Sequence, residues 1–125
     1  MSKKSVGLEK VFHEPNRLAV LSELAAGKEG KTFSELKKAC SLTDGNLSRH
    51  LKTLENAGVV KIKKEFVDSK PCTTVSLTGK GRKGFLAYLD DLESVVKEAS
   101  QRIKKLEKQE GKAVKVGKKS GSYVY

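Results

Sequence analysis

The sequence predicts a mainly α fold carrying a small antiparallel β-hairpin (α+β). A helix-turn-helix unit comes first, the hairpin follows it, and a long helix closes the chain. Three observations carry that expectation. Residues 32–60, TFSELKKACSLTDGNLSRHLKTLENAGVV, have the pattern of two short helices around a tight turn that run directly into a strand. Residues 60–77 alternate apolar with basic or polar positions on either side of a turn-forming segment, the period-two signature of paired strands. From Phe85 to Leu106, apolar residues recur at alternating spacings of four and three, a heptad seam on one long helix.

Each element has its own local reason. Leu8, Val11 and Phe12 predict a short helix ending before Glu14-Pro15. Pro15 suits the first turn of the next helix, about Asn16 to Ala26, where its missing N–H costs nothing. Leu18, Leu21 and Ala25 form that helix's stripe, with Val20 and Leu24 beside it, and Gly27 stops it. A third helix is expected from about Ser34 to Cys40, with Ser34 as N-cap and Leu36 and Ala39 facing inward. Thr43 caps the fourth helix, and Asp44 places a carboxylate in its first turn, at the positive end of the dipole. Leu47, Leu51 and Leu54 give this helix one apolar stripe. Asn46, Ser48, Arg49, His50, Lys52 and Thr53 are left on its other faces, and Gly58 follows as a C′ glycine.

In the hairpin, Val60, Ile62 and, further out, Glu65-Phe66 alternate with Lys61, Lys63 and Lys64, so one face is expected to be buried and the other basic. Val67-Asp68-Ser69-Lys70-Pro71 has turn composition, and CTTVSL returns with Val75 and Leu77 inward. Thr78 is the expected N-cap of the last helix, although Gly79, Gly81 and Gly84 weaken its first turns. The seam Phe85, Leu89, Leu92, Val96, Ala99, Ile103 and Leu106 is flanked by charged residues. A helix of about thirty residues is about 45 Å long, more than a core of this size covers, so the seam is expected to pair with a second copy. The organisation expected is a first unit over 1–84, a dimerisation helix over 85–110, and a flexible basic tail over 111–125 with four lysines and no acid.

Composition narrows the partners. The 125 residues suffice for one modest core, and 26 basic against 15 acidic residues give a formal charge of +11. Such a balance favours nucleic acid or an anionic membrane surface. The chain has no apolar run of about eighteen residues that could span a bilayer. The first ten residues, MSKKSVGLEK, lack the apolar stretch of a signal peptide, so a cytoplasmic, nucleoid-associated location is expected. Cys40 and Cys72 are expected as free thiols. Together with His13 and His50 they make no ligand spacing, so neither metal nor other cofactor is expected. Nor does His13 have a carboxylate and nucleophile beside it, and GKGRKG at 79–84 lacks P-loop spacing. No catalytic constellation emerges.

LTDGNLSRHLKTLENAGVV resembles the recognition helix and first wing strand of winged-helix transcription regulators of the ArsR and MarR kind. It is most similar to a small stand-alone group whose helix opens with TDGNLS and whose wing carries a PxTT segment. NRLAVL at 16–21 resembles the first core helix of that family, and KPCTTVSLTGKG its second wing strand and following helix; the similarity spans about residues 8–100. The resemblance implies a winged helix-turn-helix that binds double-stranded DNA as a homodimer and regulates transcription, as a repressor. It places base readout between Thr43 and Lys52. Asn46 would pair with adenine, Arg49 with guanine or a phosphate, and Ser48 and His50 with either. Many ArsR relatives hold metals through paired cysteines on the preceding helix, but the matching positions here are Thr32 and Ser34. Relatives often carry a neutral amide at the position of Asp44, which either accepts from cytosine N4 or serves only as a capping charge. Lys63, Lys64 and Lys70 on the wing are expected on phosphates, since the tip has no arginine for a narrow minor groove. Two other classes remain open: an architectural chromosome protein of low sequence preference, and a protein–protein adaptor. Nothing in the sequence identifies a small-molecule effector.

Overall fold

The computed structural model describes residues 7–111; of the tail expected over 111–125, all but Gly111 lies outside the described residues. In chain order the elements are α1 (Glu9–Phe12), α2 (Pro15–Leu24), β1 (Lys31–Thr32), α3 (Phe33–Cys40), α4 (Asp44–Asn56), β2 (Val60–Val67), β3 (Lys70–Leu77) and α5 (Gly79–Gln109). The strands form one antiparallel sheet in the order β1-β3-β2. The described residues divide into two units, 7–91 and 92–111.

In the first unit, Glu14 caps α2 by accepting from the Arg17 N–H at 2.8 Å, with Pro15 in the first turn. The buried face of α2 centres on Val20, Leu21 and Leu24. Ala25 therefore turns to solvent, and the helix ends there, short of Gly27. The N-cap of α3 is Thr32 rather than Ser34. The Thr32 hydroxyl accepts from Glu35 N–H at 3.1 Å, while the Glu35 carboxylate accepts from Thr32 N–H at 2.9 Å. Three residues after Ser34 stands Lys37, which cannot return that second bond. Leu36 is fully buried as expected, but Ala39 is exposed.

Helix α4 follows its expected bounds. Thr43 Oγ1 accepts from Asn46 N–H at 3.1 Å, and Leu47, Leu51 and Leu54 are buried. The hairpin runs in register from Val60↔Leu77 to Val67↔Lys70. Its turn is only Asp68-Ser69, with φ of 54° and 66°. Positive φ at both central residues matches the twist of a two-residue hairpin turn, so Val67, Lys70 and Pro71 belong to the strands and not to the tip. Strict alternation also separates Lys63 from Lys64: Lys64 shares a face with Ile62, and Lys63 lies on the other. Strand β1, which no pattern in the sequence suggests, pairs Lys31 with Val75 and Thr32 with Thr74.

The glycines at the start of α5 mark close approaches. Gly81 is buried where a Cβ would stand 2.1 Å from the Val59 carbonyl oxygen, and Gly84 where one would stand 2.7 Å from Leu8 Cδ1. Thr78 locks this joint: its Oγ1 accepts from Gly81 N–H at 2.9 Å and its hydroxyl donates to the Gly58 carbonyl at 2.6 Å. Helix α5 is therefore regular from Gly79 onward, not only from Phe85. The aromatic core is Phe12 against Phe85 and Tyr88, with ring centroids 5.5 and 5.3 Å apart. Burial pushes the Tyr88 phenol above its ordinary pKa, and its hydroxyl lies 2.6 Å from His13 Nδ1. The second unit, as described, is the remainder of α5. Val95, Val96, Ile103 and Leu106 are exposed on it, and Arg102 approaches Glu98 at 3.8 Å one turn away.

Candidate nucleic-acid interface

A helix with a buried back and a free polar front is what a major groove admits. The leucine stripe of α4 supplies the back. Its front carries Asp44, Ser48, Arg49 and Lys52, all exposed, with Asn46 half-buried beside them. Arg49 Nη2 donates to Asn46 Oδ1 at 2.7 Å, so the two expected base readers are held together one turn apart. Asp44 pairs with Lys37 of α3 at 2.9 Å. Both partners are largely exposed, so the pair adds little stability, but it keeps a positive charge beside the carboxylate. Thr43 uses its hydroxyl on the cap.

His50 does not join this front. It is only 8% exposed, and its Nδ1 lies 3.4 Å from Arg17 Nη1. Position 50 is three residues after Leu47 and four before Leu54, which puts it on the buried stripe. Arg17 also donates through Nε to the Val11 carbonyl at 2.7 Å, and so ties α1 to α4. Arg17 is a positioning residue with no local pattern in the sequence. The spacing of His50 would have shown its place.

The wing lysines separate. Lys64, with Ile62 and Thr73, lines a groove of about 640 Å³ facing Ser48, Lys52 and Glu55 of α4. Lys63 lies across the strand, 3.8 Å from Glu65, and Lys70 is exposed beside the turn. Only Lys52 and Lys64, with Glu55 between them in the lining, bring cations from α4 and the hairpin to one groove.

The seam residues also separate. Phe85 is 5% exposed, packed inside the first unit against Phe12. Leu89, Val96, Ala99, Ile103 and Leu106 are exposed and Leu92 is half-buried. Leu86, off the seam, is 61% exposed, and with Leu24, Leu77 and Leu89 it lines a second, apolar groove of about 510 Å³. Cys40 and Cys72 are free thiols. Burial, followed by the nearby Glu23 carboxylate, raises the Cys40 pKa. Among the described residues no cluster of three or more His, Cys, Asp or Glu could hold a metal ion, and no helix is long and apolar enough to cross a membrane.

Comparison with known proteins places this surface in context. Residues 16–96 match the family model for a winged helix DNA-binding domain. An uncharacterized protein of Methanocaldococcus jannaschii is 39% identical over 83 residues, 66% of this chain and 89% of that protein. A transcriptional regulator homologue from Pyrococcus horikoshii OT3 is 31% identical with a TM-score of 0.68, covering 72% of this chain and 88% of its own. Staphylococcus aureus MepR, solved in complex with DNA, shares the fold at 21% identity and a TM-score of 0.56, over 82% of this chain and 85% of its own.

Proposed function

The chain belongs to the winged helix DNA-binding domain family, and from that premise we propose that it is a homodimeric, sequence-specific transcription repressor that reads double-stranded DNA with α4. The observation that carries this reading is the α4 front, where Arg49 and Asn46 are paired at 2.7 Å on a helix whose back is fully engaged in the core. A pre-ordered guanidinium and amide can address adjacent base edges without first being organised. Lysines of the wing add backbone contacts that set register and affinity, and base contacts set preference. Pairing of the exposed α5 seam would bring two such fronts to one duplex. Half-sites are then about 10–10.5 bp apart, or a multiple of that.

The test begins with selection of duplexes from a random pool by the purified protein. On the selected site, Arg49→Ala and Asn46→Ala should each cost about 1–3 kcal/mol while the fold stays intact. If both variants bind as tightly as the wild type, α4 is not the reader. The formal charge of +11 supports a second reading, an architectural protein with little sequence preference. A regulator should prefer its site over random duplex by at least ~10³ at physiological salt, and a ratio near one would favour the architectural role.

A further inference from the structure

Lys37 belongs to α3, yet its amine lies against the first residue of α4, with Nζ 2.9 Å from Asp44 Oδ1. The chain between the two is fixed. Ser41 is left-handed at φ 54°, and the N–H groups of Ser41 and Leu42 donate to the Lys38 and Lys37 carbonyls at 3.3 and 3.1 Å. Thr43 then caps α4, which makes Asp44 its first helical residue. Stability does not account for the couple. Its side chains are 45% and 74% exposed, and ion pairs so exposed contribute little. The dipole of α4 favours a carboxylate at this end but opposes a cation beside it. Next in the chain, Gly45 places no side chain over the pair, and nothing lies within 4 Å of where its Cβ would stand. The couple is therefore open to a ligand edge.

We propose that Lys37 and Asp44 together read one C·G base pair, Asp44 accepting from cytosine N4 and Lys37 donating to guanine O6 and N7. This rests on the DNA-binding reading above, and it adds a residue of α3 to the readers on α4. The N-terminal residues of a helix seated in the major groove are the ones that contact base edges. Across a C·G pair the N4 donor and the O6 acceptor are joined by a hydrogen bond, which sets them about 2.9 Å apart. Lys37 Nζ and Asp44 Oδ1 offer the opposite pattern, donor beside acceptor, at 2.9 Å. Couple and base edge thus match in order and in spacing. An A·T pair also sets a donor, N6, beside an acceptor, O4, but thymine carries a methyl group next to that oxygen. Guanine instead carries a second acceptor, N7, and an ammonium with three donors can take both. A lone carboxylate on this front would be repelled by the phosphates; with Lys37 beside it the couple enters the groove without net charge. Because the two are paired before DNA arrives, binding has little left to order.

Wild type, Lys37→Ala and Asp44→Ala are each used to select duplexes from a random pool. Wild-type sites should hold C·G at one position that both variants cease to specify, while the positions read by Asn46 and Arg49 persist in all three. On the wild-type-selected duplex each variant should bind about 10- to 100-fold more weakly, and the double variant hardly more weakly than either, because the two act on one base pair. Lys37→Ala should leave the salt slope unchanged, since its amine is on a base and not on a phosphate. N4-methylcytosine at the same position, which removes the exposed N–H, should weaken the wild type by a similar factor and leave Asp44→Ala unaffected. If Lys37→Ala instead weakens every duplex equally and lowers the slope by about 0.9, Lys37 is a phosphate contact and the couple is overturned. Selection of A·T at that position, or identical sites from all three proteins, would also overturn it and leave DNA reading by α4 standing. Failure of the wild type to select any sequence would overturn both.

Discussion

Adding one methyl group at Gly79 and one at Gly81, two positions apart in the first turn of α5, should move stability in opposite directions. At Gly79 nothing lies within 4 Å of the new carbon. Gly79→Ala therefore keeps only the gain in helix propensity, up to about 1 kcal/mol. At Gly81 the new carbon meets backbone, 2.1 Å from the Val59 carbonyl oxygen and 2.9 Å from its carbon. The strand cannot recoil freely, because Thr78 N–H donates to that same oxygen at 3.0 Å and the Thr78 hydroxyl approaches it at 3.2 Å. Overpacking of this kind costs about 1–3 kcal/mol. Weakening one of the Thr78 bonds adds about 1 kcal/mol. Against a propensity gain of about 1 kcal/mol, Gly81→Ala should be destabilised by about 2 kcal/mol, a loss of roughly 10 °C in Tm for a domain of this size. Gly84→Ala should fall between the two, since its new carbon meets Leu8 Cδ1 at 2.7 Å, the movable end of a side chain. Urea unfolding followed by circular dichroism at constant m-value reads the order directly. A Gly81→Ala variant as stable as Gly79→Ala would refute the close approach of α5 to the root of β2.

Replacing Leu92 and Val96 together by aspartate should give a monomer on sedimentation, with weakened operator binding and an intact helical spectrum; a wild-type monomer at micromolar concentration on a single asymmetric site would sink the dimer. Deleting residues 112–125, which carry four lysines, should flatten the salt dependence by about 0.9 for each phosphate no longer neutralised, and leave sequence preference unchanged. An unchanged slope would show those lysines to be off the DNA. Cys40 has a pKa raised by burial first and by Glu23 second, so less thiolate is present at any given pH. Its alkylation by iodoacetamide at pH 8 should be slower than that of free cysteine, with the rate profile displaced to higher pH. A rate equal to that of free cysteine would contradict the raised value.

What was legible in the sequence was whatever a local period encodes. The Leu47, Leu51, Leu54 stripe and the Thr43 cap depend on neighbours three or four residues away, and both stand as expected. The same periodicity places His50 inside, but a polar side chain suggests the opposite until Arg17, distant in the chain, is seen beside it. Phe85 keeps perfect heptad spacing yet belongs to the core, because one spacing serves both a helix packed on its own domain and a helix paired with another. Strand β1 has two residues, too few for any pattern, and exists only through the bonds that β3 offers it. The exposed Phe66 continues the alternation of β2, and only the three-dimensional register shows that the core ends before reaching it.

The strand order β1-β3-β2 makes the hairpin a beam built in at one end. At its root, Val75 and Thr74 have strands on both sides, and Gly30 packs so tightly that a Cβ there would lie 2.3 Å from the Val75 carbonyl oxygen. From Thr73 outward only β2 and β3 remain, and a two-stranded ribbon twists more readily than a wider sheet. Stiffness therefore drops in a single step between Thr74 and Thr73. The rungs from Lys64↔Thr73 to Val67↔Lys70 are the more pliable half, and those from Val60↔Leu77 to Lys63↔Thr74 the stiffer. Compliance and alignment are thus assigned to different halves of the same pair of strands. Under the DNA-binding reading proposed above, duplexes whose flanks differ in groove width are met by bending of the outer half alone.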